Sequence, residues 1–295
     1  MNCKPENAAV TIIVLDYSGT LSLMCTEFGK SGRLEEELVT SGLADFGVRG
    51  ARFFWNEMVN PAWEEGSTTR AGYHTVLLKR LHGLLKRSGP VRQKEIADAL
   101  SRFTSRYFDS CRIDERWKHL LRLFAKDPGT LVIIATDHYI EATHVIIEEL
   151  SRIDIEALSI SGETVPRSTD KEFFYIANSA ELGFHKSDRR FWESVALKVP
   201  ESKGKILLVD DFGYNESSES SYNRLQCVKR RKSDMIASLS SVFGSRVTEI
   251  AFLVQMGDEE KNCGQTERMP TFTVKELIEM VEEKYEFLSE LRFSC

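Results

Sequence analysis

Residues 9–15 (AVTIIVL) form an apolar, β-branched run with no polar alternation. A strand with one wet face alternates, whereas one buried on both faces does not. The run therefore predicts a central parallel strand. Residues 131–136 (LVIIAT) and 205–209 (KILLV) have the same character. The stretches 153–160 (IDIEALSI) and 247–254 (VTEIAFLV) are further candidates, with a short last strand near 271–274. Helical spacing of apolar positions predicts helices over 140–151, 188–197 and 274–290, the second with Ser187 or Asp188 placed to cap it. Strands alternating with helices predict an α/β fold built on a Rossmann-like, doubly wound parallel sheet.

Residues 21–115 break this rhythm. They hold no convincing strand, but amphipathic stretches at 33–43, 51–65, 69–88 and 91–110, punctuated by Pro61, Gly66 and Gly89-Pro90. The expectation is a core formed by 1–20 and 116–295, with 21–115 inserted as a separate all-helical cap over the C-terminal edge of the sheet, where such folds bind ligands. The stretch 214–245 is longer than a helix linker needs. With its ESSESS segment followed by the basic run 229–232, it reads as a flexible surface excursion carrying a solvated basic face.

The 295 residues suffice for a full core, and a formal net charge of −6 argues against nucleic acid as the main partner. Six scattered cysteines without a CxxC pair predict reduced thiols rather than a disulfide framework or a zinc site. No apolar run reaches bilayer length and no signal peptide is visible, so a cytoplasmic protein without a membrane partner is expected.

Charged and hydroxyl residues stand where the predicted strands end. The first runs into Asp16-Tyr17-Ser18-Gly19-Thr20. A carboxylate there is costly unless it serves a purpose, and Gly19 permits a tight loop whose N–H groups can face an anion, although Asp and Gly are also ordinary turn residues. The second ends in Thr136-Asp137-His138, a phosphoryl hydrogen-bond donor or merely a helix cap. Lys186 precedes the 188–197 helix and can pair with carboxylates and substrate charge, or lie solvated at the surface. Asp210-Asp211 follow an all-apolar strand. Their repulsion in a low dielectric is resolved by a divalent cation, and Mg²⁺ favours such hard oxygen ligands.

In this order the segments DYSGTL, Thr136, the Lys186 region and LLVDDFGYN resemble the four motifs of the haloacid dehalogenase-like superfamily. The likeness covers roughly 9–21 and 115–290. It implies a Mg²⁺-dependent hydrolase acting on a small phosphorylated molecule, or on a phosphonate or acyl phosphate, with a helical cap helping to choose the substrate. Asp16 would be the nucleophile, forming an aspartyl-phosphate. Thr136 and Lys186 would be catalytic, neutralising phosphoryl oxygens, with Ser18, Gly19 and Asp137 as further phosphate-binding positions. Asp16, the Ser18 carbonyl, Asp211 and Asp210 would hold the metal.

One position departs from the pattern. Phosphatases of this kind usually carry an Asp two residues after the nucleophile, and this chain has Ser18. A positioned general acid–base contributes about 10²–10⁴ in rate, so its loss matters. Either the substrate has a good leaving group, or another residue (His74, Glu64, Glu65 or His138) supplies the proton. The remaining outcome is a catalytically weak phospholigand-binding protein. A 2-haloacid dehalogenase also matches DYSGTL, but the Asp210-Asp211 pair argues against it. The aromatic residues Phe53, Phe54, Trp55, Trp63 and Tyr73 are candidates for substrate contact, although most of them read as helix packing.

Overall fold

The structure, a computed structural model, describes residues 10–85, 90–162, 173–200, 204–254 and 270–291. Its centre is a six-stranded, all-parallel sheet of β1 (Thr11–Leu15), β2 (Thr130–Thr136), β3 (Glu156–Ser159), β4 (Phe173–Asn178), β5 (Ile206–Val209) and β6 (Val247–Ile250), in the order β3-β4-β2-β1-β5-β6. Ile13 and Leu15 face one apolar core, shared with the helices Lys118–Lys126, Glu141–Ser151 and Val274–Glu290. Ile12 and Val14 face the other, shared with the helices Arg189–Ala196 and Leu225–Phe243. Helices on both faces explain why β1 lacks alternation: neither face meets water. The expected doubly wound α/β sheet is the one observed.

Two strands differ from expectation. The sequence reading had no strand at 173–178, yet β4 is buried along its whole length between β2 and β3. FFYIAN has one β-branched residue and ends in Asn, so it lacks the β-branched density that marks β1 and β2, and its neighbours decide its state. Conversely, the single strand expected over 247–254 divides. β6 stays in the main sheet, while β7 (Leu253–Val254) pairs with β8 (Thr271–Phe272) in a separate ribbon.

Between β1 and β2 the described chain is helical, with its own apolar core that includes Phe28, Leu38, Phe54, Leu77 and Phe103. The helix expected over 51–65 runs from Ala51–Phe53 through a π-helical stretch, Phe54–Val59, into Asn60–Thr68. A π stretch widens the turn and redirects the side chains on it, and such stretches recur at functional sites. Trp55 lies on this one.

The excursion expected at 214–245 is a correction. Residues 225–243 form one helix whose Val228, Met235 and Leu239 are buried on the sheet. Of the basic run, Lys229 and Arg230 are exposed, but Arg231 turns inward and donates to the carbonyls of Phe212 (2.6 Å) and Tyr222 (2.7 Å). Among the described residues, no helix is long and apolar enough to cross a membrane. Of the six cysteines, Cys25, Cys111 and Cys227 are described, and all three are free thiols.

Candidate active site

β1 and β5 are neighbours in the sheet, and the chain reverses its direction of winding around them. Their C-terminal ends therefore open a crevice. Register places Leu15 opposite Val209, so Asp16 and Asp210 emerge side by side. Asp16, Asp210 and Asp211 are all buried, and one oxygen from each lies within 4.8 Å of the others.

Lys186 enters from the loop before the helix Arg189–Ala196, whose N-terminus Asp188 caps by accepting from Arg190 N. Its ammonium stands 2.5 Å from Asp16 Oδ1 and 2.7 Å from Asp210 Oδ2, and the residue is only 2% exposed. Burial lowers its pKa, but the two carboxylates more than offset this and hold the ammonium charged. The solvated-surface reading of Lys186 is excluded.

Three carboxylates against one ammonium leave an excess of buried negative charge. Burial pushes the Asp16 carboxyl well above its usual range, and although Lys186 opposes this, Asp210 and Asp211 add to it. Burial, then Asp210, push Asp211 up to about 7. A small divalent cation with hard oxygen ligands fits this donor set, because it replaces the repulsion with attraction.

Asp211 is also oriented by backbone. Gly213 N donates to its Oδ1 (3.1 Å) and Asn215 N to its Oδ2 (2.8 Å). Asn215 ties the site together, since its amide donates to Gly19 O (2.8 Å) and its carbonyl oxygen accepts from Val254 N (2.8 Å). Thr20 Oγ1 donates to Asp16 Oδ2 (3.2 Å). The sequence reading had assigned neither Asn215 nor Thr20 a role.

The remaining sequence-predicted residues divide. Thr136 is fully buried and its hydroxyl has no hydrogen-bond partner, but the residue is not among those that line the crevice. Asp137 spends its carboxylate inside the protein: Oδ1 accepts from Lys186 N (2.8 Å) and Oδ2 from the Tyr222 hydroxyl (2.9 Å). Gly19 corrects the expected anion-facing N–H, because its N–H donates to Ser22 O (2.8 Å). Its contribution is space: at φ +81°, a Cβ there would lie 2.6 Å from Asp211 Oδ2.

Ser18 lines the crevice, and its hydroxyl donates to Glu216 Oε1 at 3.3 Å. Burial, then Asp211, push the Glu216 carboxyl up to about 8. A carboxyl group thus stands beside the position where the sequence lacks one, contributed by the segment that had read as a surface excursion. The proton donors expected from sequence fare differently. Glu64 and Glu65 are exposed and, like His74, do not line the crevice. His138 does line it, but burial pulls its pKa down to about 4. Its Nδ1 accepts from Tyr139 N (2.8 Å), so the ring proton sits on Nε2, facing the Tyr107 hydroxyl at 3.0 Å.

Residues 214–224 are held over the crevice. Asn60 donates to Glu219 O (3.1 Å) and accepts from Ser221 N (2.9 Å), and Arg231 stacks 3.4 Å from the Tyr222 ring centre. Aromatic side chains wall the space above the carboxylates. Of the five aromatic residues offered for substrate contact, Phe54, Trp55, Trp63 and Tyr73 line it, while Phe53 is partly exposed and does not.

No protein-family model and no curated protein matches the chain. Among solved structures it is similar to 2-haloacid dehalogenase from Pseudomonas syringae pv. Tomato DC3000, at 13% identity over 94% of this chain and 99% of that one, with a TM-score of 0.47. It is similar also to L-2-haloacid dehalogenase from Xanthobacter autotrophicus, at 13% identity over 93% and 99%, TM-score 0.43. A HAD-superfamily hydrolase of subfamily IA, variant 1, from Geobacter sulfurreducens PCA matches at 11% identity over 94% and 98%, TM-score 0.40. Likenesses of this size carry no argument about substrate or chemistry.

Proposed function

We propose that the chain is a Mg²⁺-dependent hydrolase of the haloacid dehalogenase-like kind, which cleaves a phosphoryl group from a small molecule through an aspartyl-phosphate on Asp16. The observation that carries this reading is the convergence of Asp16 with Asp210 and Asp211, which lie 194 and 195 positions further along the chain, around one point beside the Lys186 ammonium. In this reading residues 21–115 act as the cap.

When bound, Mg²⁺ would be held by Asp16, Asp211, Asp210 and the Ser18 carbonyl, and would supply Lewis-acid neutralisation of the phosphoryl charge. Asp16 attacks phosphorus in line with the leaving oxygen. The Asp16 O–P bond forms as the bond from phosphorus to the leaving oxygen breaks, and the electron pair stays on that oxygen. Lys186 holds the Asp16 carboxylate in position and offsets repulsion from the incoming anion. Water then attacks the aspartyl-phosphate at phosphorus, which frees the Asp16 carboxylate and releases inorganic phosphate.

The test is phosphate release from a panel of phosphate esters, acyl phosphates and phosphonates, with Mg²⁺ and with EDTA. Turnover that needs Mg²⁺ and falls about 10³-fold or more in Asp16→Asn supports the reading, since loss of a nucleophile is among the largest single effects in catalysis. A wild-type protein inert across the panel that still binds phosphorylated ligands would leave a binding protein. Chloride release from 2-chloropropionate without metal would make it a dehalogenase.

A further inference from the structure

Above the carboxylates the crevice opens into a space of about 840 Å³ that includes its solvent-filled mouth. Its walls include Phe54, Trp55 and Trp63 from the π-helical stretch and the helix after it, with Tyr139 following β2 and Tyr222 from the loop after β5. Trp63 meets the Tyr139 and Tyr222 rings edge-on, each with centroids 5.6 Å away. Edge-to-face contact is the arrangement in which aromatic rings attract one another, and such walls extend the same contact to a ring placed among them.

The charge pattern narrows the occupant. Among the described residues lining the cavity, Lys186 is the one Lys or Arg, and it is engaged at the floor. A second phosphate or a carboxylate on the substrate would be buried without a counter-charge. A polyol would need several partners, yet the polar atoms of the wall are mostly spent. Trp55 Nε1 donates to Gly29 O (2.9 Å), Tyr222 to Asp137, and Asn60 bonds the backbone at Glu219 and Ser221. Tyr139 is a deeply buried exception, 3% exposed and with a hydroxyl that has no partner.

We infer that the cavity takes the phosphate monoester of an aromatic alcohol, with its ring among Trp55, Trp63 and Tyr222 and a polar ring substituent facing the Tyr139 hydroxyl. This rests on the phosphoryl-hydrolase reading of the floor and adds the class of leaving group. The chemistry agrees with Ser18. When the bond between phosphorus and the aryl oxygen breaks, the electron pair remains on a phenolate. A phenol has a pKa of about 10, against about 15.7 for water, which an aliphatic alcohol approaches. The phenolate departs unprotonated and takes its proton from water, so the missing acid at position 18 matters least for this class.

The experiment uses the full chain with Mg²⁺ and compares kcat/KM for 2-naphthyl phosphate, glucose 6-phosphate and acetyl phosphate. The expected result is a preference of at least tenfold for 2-naphthyl over glucose 6-phosphate. In Trp63→Ala, and in the packing-preserving Tyr139→Phe with 6-hydroxy-2-naphthyl phosphate, the ratio of aryl to acetyl phosphate turnover should fall at least fivefold. Turnover of acetyl phosphate with no aryl preference overturns the inference while leaving the hydrolase intact. If no phosphate compound is cleaved, the hydrolase reading fails. Phenylphosphonate titrated against tryptophan fluorescence then decides the cavity: saturable binding weakened in Trp63→Ala supports an aromatic ligand, and no binding overturns it.

Discussion

Ser18 Oγ lies 3.3 Å from Glu216 Oε1, although the two residues are 198 positions apart in the chain. The pairing brings a carboxyl group to the side of the crevice where Ser18 itself offers only a hydroxyl. Replacing Ser18 by Asp sets two carboxyls side by side, and such a pair retains a proton at neutral pH because both cannot ionise together. Ser18→Asp is expected to raise hydrolysis of alkyl phosphates by about 10²-fold, the lower end of what a general acid supplies. It should raise hydrolysis of aryl phosphates much less. A plot of log kcat against leaving-group pKa checks this: the slope should flatten in the variant, and an unchanged slope counts against the account of leaving-group protonation.

Lys186 is the counter-charge that lets Asp16 and Asp210 share a buried space. Lys186→Met keeps the stem and removes the charge, leaving two carboxylates unpaired. Breaking a buried pair from one side typically costs about 3–5 kcal/mol. Urea denaturation in EDTA at pH 7.5 should show a loss of that order. The loss should shrink at pH 5, because the Asp16 carboxyl, held well above its usual range by burial, recovers its proton more readily there. A loss that does not depend on pH would point to packing instead.

The acidic cluster also sets a pH dependence. The Asp16, Asp211 and Glu216 carboxyls are raised in the folded protein, the last two to about 7 and about 8. Unfolded, these groups titrate near the ordinary values of about 3.9 and 4.3. Below that range they are neutral in both states and cost nothing. As pH rises from about 4 to about 8, the unfolded chain gives up protons that the folded chain retains, and stability falls. In EDTA the melting temperature should therefore decline across this window, and Asp211→Asn should flatten the decline. Mg²⁺ needs ionised ligands, so it should raise the melting temperature more at pH 8 than at pH 5. Equal gains at the two pH values would speak against carboxylate ligation.

Gly19 combines a positive φ with contact to Asp211. Gly19→Ala must strain the backbone or move the Asp211 carboxylate. A destabilisation of about 1–3 kcal/mol is expected from the backbone alone, with a measurable loss of Mg²⁺ affinity by calorimetric titration. Gly47, also at positive φ but with nothing near its Cβ position, provides the control. Gly47→Ala should share the backbone effect and leave Mg²⁺ affinity alone.

Much of the architecture was legible because hydrophobic periodicity is a local property. The unbroken run at β1 announced burial on both faces, and the apolar spacing over 274–290 gave the helix Val274–Glu290 its observed bounds; the structure adds the Thr273–Glu276 capping box. β4 was not legible, since FFYIAN holds a single β-branched residue and lacks the dense β-branched run that marks LVIIAT at β2. The segment 214–224 was misread for a related reason. Serines and glutamates suit a solvated loop on average, and nothing local reveals that Asn60, Asp137 and Arg231 wait to hold them.

The amino-acid order by itself determined that β1, β2 and β5 are buried on both faces and that Asp16, Asp210 and Asp211 follow the C-terminal ends of β1 and β5, because burial and chain direction follow from nearest-neighbour patterning. Only the tertiary structure decided that Glu216 meets Ser18, that Asp137 turns away to hold Lys186 and Tyr222, and that aromatic rings wall the space above the carboxylates. Those meetings depend on how separately formed elements pack, and side-chain contact across some 200 residues leaves no periodic trace in the chain.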